Sequence, residues 1–174
     1  MRRAIVNILI IILAFVLETS VFPFLPISVV APNLLLIVIF TIGFVYGELE
    51  GSLYGILAGL LMDLFYSGPF GYFTLIFGWI GFINGFFTRF YDDDYFFLPV
   101  IMCALNEILY NILLFIVRYI LRGHTDFGYY LKSIILPELV LTVVFTIILY
   151  RPILLLNEKL RKIDISKKGI KISE

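Results

Sequence analysis

Four acidic side chains, Glu18, Asp63, Glu107 and Glu138, stand inside or at the edges of apolar stretches. A charge at mid-bilayer costs on the order of 3 kcal/mol or more, so such residues sit near an interface, face a protein interior or stay protonated. Glu138 directly follows Pro137, in what the pattern makes the opening turn of a helix, where the dipole favours an anion. Glu18 and Asp63 fall near the expected outer ends of their segments, and Glu107 lies deepest. Its segment carries Cys103, Glu107 and Asn111 at i, i+4 and i+8, with Arg118 returning to nearly the same face and Asn106 one step round. A polar stripe of that length faces a cavity or another helix. Glu107 held by Asn111 makes a structural lock; a ligand or proton site and a partner contact are the other uses of the same stripe.

The remaining reactive groups support little chemistry. Asp92, Asp93 and Asp94 are contiguous, so they cannot all converge on one ion from a regular element, and no second acidic motif completes a site. His124 and Asp126 have no Ser or Cys nucleophile motif nearby. One cysteine and one histidine exclude a disulfide framework or a zinc site within one chain. The expectation is a protein that is not an enzyme, with no catalytic, cofactor or metal residues.

The elements that carry these residues are apolar helices. Of 174 residues, 61% are hydrophobic and 15% charged, and the mean hydropathy is +1.05, which excludes a soluble monomer. The pattern predicts an all-α integral membrane bundle of about six helices. Spans fall at about Ala4 to Phe22, Asn33 to Tyr46, a third ending near Phe65, Phe70 to Phe87, Phe96 to Leu121 and Ser133 to Tyr150. Pro32 is placed at the first helical position of the second span, and Pro152 just beyond the last. The second and third spans are short, so a re-entrant hairpin from Asn33 to Phe65 is the alternative. Residues 1–156 then form one transmembrane domain and 157–174 a basic tail, suited to anionic lipid.

With an even number of crossings the termini share a side. That side holds Arg2, Arg3, Arg89, Arg151, Lys159, Arg161, Lys162, Lys167, Lys168 and Lys171, against Arg118, Arg122 and Lys132 on the other, so both termini are expected in the cytoplasm. Thirteen basic residues cancel thirteen acidic ones overall, leaving no global basic field of the kind that nucleic-acid binders use. Gly51, Gly55 and Gly59 recur every four residues on the third span, and Asp63 continues the series. A smooth stripe lets another backbone approach closely, either a helix of the same chain or a docking partner. Gly71, Gly78, Gly81 and Gly85 on the fourth span have the same two readings, and two glycine-faced helices in one small chain suggest that they face each other.

Pro32-Asn33-Leu34-Leu35-Leu36, then Gly47-Glu48-Leu49-Glu50-Gly51, Gly55, Gly59-Leu60-Leu61-Met62-Asp63-Leu64 and Gly68-Pro69-Phe70-Gly71 follow one another in order. This series resembles the MreD family of bacterial rod-shape-determining membrane proteins, with Asn33 where that family usually has Asp. The Arg-Arg start and Arg151-Pro152 after the last span are similar too. The resemblance implies a multi-pass protein of the bacterial cytoplasmic membrane, a non-catalytic scaffold of the cell-elongation complex that helps control lateral peptidoglycan synthesis. It implies association with the bitopic protein MreC and, indirectly, with the MreB filament, a transglycosylase and a transpeptidase. The alternative is a substrate-binding subunit of an energy-coupling-factor vitamin transporter, a class of similar size and helix number whose members also dock through small-residue faces. A solute site, with a second polar stripe converging on the first, discriminates the two.

Overall fold

The computed structural model describes residues 2–24, 30–66, 69–90, 97–118 and 127–172, and these are almost wholly helical. Helix α1 (Arg2–Val16) runs on through a π turn, Leu17–Val21, and a 3-10 turn, Phe22–Phe24. Then come α2 (Leu34–Tyr46), α3 (Glu48–Phe65), α4 (Tyr72–Phe86) with a 3-10 turn Phe87–Phe90, and α5 (Phe97–Arg118). A four-residue helix, α6 (Phe127–Tyr130), passes through a second π turn, Leu131–Ile135, into α7 (Leu136–Ile172). Among the described residues, three stretches are long and apolar enough to cross a membrane: Arg3–Phe24, Leu98–Val117 and Phe127–Arg161.

The bundle is organised around α2. From Leu34 to Val45 every residue of it is buried, which is why its sequence is apolar all round instead of on one stripe. Its 13 residues span about 20 Å, so it is shorter than the helices around it. Contacts fix its direction. At one end Arg3 pairs with Glu50 at 2.8 Å and lies over the Tyr46 ring, the Tyr46 hydroxyl donates to the Asn157 carbonyl at 2.8 Å, and Arg161 donates to the Val45 carbonyl at 3.1 Å. We call this the near end, because α1 begins there and α7 returns to it. At the far end Glu18, Asn33 and Thr142 gather at the start of α2, and Phe15 packs on Phe65.

This arrangement corrects two expectations. Pro32 does not open α2; Asn33 is its N-cap, with Oδ1 accepting from the Leu36 N–H at 3.0 Å, as an Asp there would. The α2–α3 turn, made at Gly47 with φ +91°, lies at the level of Arg3 and Arg161. Pro152 lies inside α7, not beyond its end. It forgoes one helical hydrogen bond, but its ring is exposed, and Leu154 and Asn157 beyond it are buried, so packing carries the helix onward to Ile172.

The outer face of the bundle is apolar. Ile5, Leu9 and Leu13 on α1, Leu75 and Trp79 on α4, Ile101 and Leu105 on α5, and Val140 and Ile148 on α7 are all exposed. The interior is apolar too, around α2, and the buried polar residues, among them Asn84, Glu107, Asn111, Thr142 and Thr146, are set within it, away from the lipid-facing surface.

Candidate functional site

Two seams hold the residues singled out by type and spacing. The first joins α3 to α4. A methyl group placed on Gly55 would fall on the Phe77 carbonyl, one on Gly59 on the Phe73 and Thr74 backbone, and one on Gly51 on the Gly81 carbonyl. From the other side, Gly81 meets the Gly51 carbonyl and Gly85 meets the backbone of Gly47 and Glu48. The stripe Gly51, Gly55, Gly59 is therefore covered by this chain's own α4, and a partner's helix has no room along it. Gly78 is different: among the described residues, a methyl group there would meet only the Ile56 side chain.

Asp63 finishes this seam. Its carboxylate accepts from the Phe73 and Thr74 N–H groups, each at 3.0 Å, and from the Thr74 hydroxyl at 2.5 Å. The acid at the end of α3 thus caps the N-terminus of α4, where free N–H groups and the dipole favour an anion. Pro69 accepts from the Tyr72 N–H at 3.2 Å, and Gly71 enters α4 at φ +90°, a left-handed conformation that strains any residue with a Cβ. Gly68 lies outside the described residues, as do Asp92, Asp93, Asp94, His124 and Asp126.

The second seam joins α5 to α7 and is polar. Cys103 Sγ lies 3.0 Å from Thr146 Oγ1, and Asn111 Nδ2 donates to Glu107 Oε1 at 3.0 Å. Asn106 turns the other way and ties α5 to α4, donating to Asn84 Oδ1 at 2.9 Å. Arg118 closes α5, and its side chain lies outside the described residues. Opposite the α5 stripe runs a second one, Glu138, Thr142 and Thr146, at the same four-residue spacing on α7. The Glu138 and Glu107 carboxyls meet within hydrogen-bonding contact. Reading Glu138 as a helix-opening anion misses this: residues from Phe127 onward are already helical, so Glu138 has helix ahead of it and points inward to α5. Extending the spacing from Glu138 to Thr142 and Thr146 would have found the stripe.

Glu18 also caps a helix other than its own. Its Oε2 accepts from the Leu35 N–H at 3.1 Å, and Asn33 N–H donates to Thr142 Oγ1 at 3.0 Å. Around this point the far end opens into a cavity of about 260 Å³, bordered by Glu18, Glu138, Tyr66, Tyr110 and Tyr130. Among the described residues no three His, Cys, Asp or Glu side chains are placed to hold a metal ion.

A helical bundle with an apolar exterior, buried polar side chains kept inside and three membrane-length helices among the described residues defines the class: a polytopic α-helical membrane protein. The description "rod shape-determining protein MreD" matches residues 1–160, and the chain belongs to the MreD family. Membership gives it a role in rod-shape determination, and the reading as a vitamin-transporter subunit yields to it. No curated protein and no solved structure matches the chain.

Proposed function

We propose that the chain is a non-catalytic scaffold of the cell-elongation complex, seated in the bacterial cytoplasmic membrane with both termini in the cytoplasm. In this reading it binds an MreC-like bitopic protein and through it influences MreB, a transglycosylase and a transpeptidase, and so lateral peptidoglycan synthesis. The observation that carries the reading is the family match along nearly the whole chain, residues 1–160. The excess of Lys and Arg on the side shared by the termini supports the orientation. Because α4 fills the glycine stripe, the scaffold's docking surface lies elsewhere. The turn at Pro69, Phe70 and Gly71 is the surface we favour, since Phe70 is largely exposed at the far end.

Copurification from native membrane in mild detergent tests the proposal. A bitopic protein with a large periplasmic part should come down, and depletion should turn rod-shaped cells round while leaving vitamin uptake intact. An ATPase-containing complex together with a specific uptake defect would overturn it. For orientation, a cysteine at Ser166 in a Cys103-free variant should resist labelling from outside intact cells.

A further inference from the structure

Helix α7 is longer than the membrane it crosses. Its 37 residues run about 55 Å, against about 30 Å of hydrocarbon, and it begins at the far end, where Glu138 borders the cavity. The excess therefore leaves at the near end, past Asn157 and Arg161. Two hydrogen bonds fasten the helix to α2 at that point: the Tyr46 hydroxyl donates to the Asn157 carbonyl at 2.8 Å, and Arg161 donates to the Val45 carbonyl at 3.1 Å. Asn157 is fully buried, whereas Ile163, past these contacts, is exposed. From Asn157 to Lys168 the sequence holds no Gly or Pro, the residues at which helices bend. The backbone stays helical to Ile172, so the helix stands out from the bundle at the angle that α2 sets.

Height and charge say what meets it. Beyond Arg161 come Lys162, Lys167, Lys168 and Lys171, against Asp164. At the rise of an α-helix, Lys167 stands about 9 Å past Arg161 and Lys171 about 15 Å. The attraction of an anionic lipid surface falls off within a Debye length, about 8 Å at physiological ionic strength. Arg161 is held at the end of α2, so the outer lysines lie past the reach of that attraction. A helix that lies flat on lipid needs one apolar face. This one has none: by helical register Leu160, Ile163 and Ile170 fall on one side, with Lys167 among them, and Ile165 and Ile172 fall on the opposite one. No aromatic residue occurs from 157 to 174 on which a base would stack. We propose that the extension of α7 beyond Arg161 is a docking post for an acidic protein surface, and not a lipid anchor. The surface belongs to the cytoplasm, a placement that rests on the orientation given under the proposed function.

The full-length chain tests this in two settings. In nanodiscs, a nitroxide on Ser166→Cys, in a Cys103-free variant, reports depth by its collisions with a water-soluble nickel reagent and with oxygen. The label should read as aqueous in neutral discs and remain so in discs rich in anionic lipid. A bilayer-depth reading in the anionic discs would overturn the proposal in favour of lipid. In cells, a photo-crosslinking residue at position 166 should join the chain to a protein whose contacting region is net acidic. At equal membrane abundance that product should fall about fivefold or more when Lys167→Glu, Lys168→Glu and Lys171→Glu are combined. It should persist when the same three positions become Arg, which keeps the charge. A product of equal yield in both variants, products with lipid or nucleic acid alone, or no product would each overturn the proposal. Orientation is read separately: labelling of Ser166→Cys from outside intact cells would contradict the cytoplasmic placement, while the disc and crosslinking results still decide whether the helix docks a protein.

Discussion

The α3–α4 seam and the α5–α7 seam are built on opposite principles. The first is dry and backbone to backbone: Gly51, Gly55 and Gly59 meet the carbonyls and Cα atoms of α4, and its one acid, Asp63, has three donors. The second is polar, with Glu107 against Glu138 and Asn111, and a cavity at its far end. In lipid, where helices gain nothing by hiding apolar surface from one another, close backbone contact is the way to fix a pair of helices. The contrast sets a seam closed by backbone contact against one held by buried polar side chains.

The largest effect should come from breaking the dry seam where backbone meets backbone. Gly81→Ala drives a methyl group into the Gly51 carbonyl, whereas Gly78→Ala meets only the flexible Ile56 side chain. Overpacking against backbone should cost about 3 kcal/mol, seen as loss of folded protein in size-exclusion yield, while Gly78→Ala should fall within about 1 kcal/mol of the unaltered chain. Equal yields would mean that α3 and α4 are not in contact at Gly51.

Next in size is the polar seam. Glu107→Leu removes one of the two acceptors of the Asn111 amide, leaving it the backbone carbonyl of residue 107, and sets an apolar side chain against the buried Glu138 carboxyl, at about 1 to 3 kcal/mol. Glu107→Gln keeps an oxygen for Asn111 and offers Glu138 a donor, so its melting temperature should match or exceed that of the unaltered chain. Equal destabilisation by both would assign the carboxylate charge a structural role and sharpen the contrast between the seams.

Much of this was legible in the chain. The four-residue spacing of glycines on two neighbouring segments suggested that they face each other, and Glu107 and Asn111 declared a shared face. What escaped reading was what each polar group touches across space. Glu18 and Asp63 cap helices that start 16 and 9 residues later, at Leu34 and Tyr72, and helix-end chemistry of that kind leaves no local signal. Pro152 misled for a related reason: its local cost is real, but the burial of Leu154 and Asn157 beyond it outweighs that cost. The uniform apolarity of α2 read as a short span, although it equally describes a helix surrounded by its own chain.

Smaller effects sharpen the account at the edges. Asp63→Ala should lose about 1 to 2 kcal/mol as α4 loses its cap, with Asp63→Asn milder because one amide oxygen still accepts; thermal unfolding in detergent ranks the two. Smallest is Glu50→Ala at the near end, whose partner Arg3 is partly exposed at 27%. The ion pair should contribute at most about 1 kcal/mol and weaken with salt. A larger, salt-independent loss would place that pair among the groups that hold the bundle together.

The most direct test of the central claim, that the glycine stripe is an internal seam, is the amount of bitopic partner recovered per molecule of folded Gly55→Leu, with Ile56→Leu as the comparison. The inserted side chain collides with the Phe77 backbone, so Gly55→Leu should lower membrane abundance severely, while the molecules that do fold bind partner in the same ratio as Ile56→Leu. Normal abundance with partner recovery abolished would contradict the account, because it would mean that the stripe faces another protein.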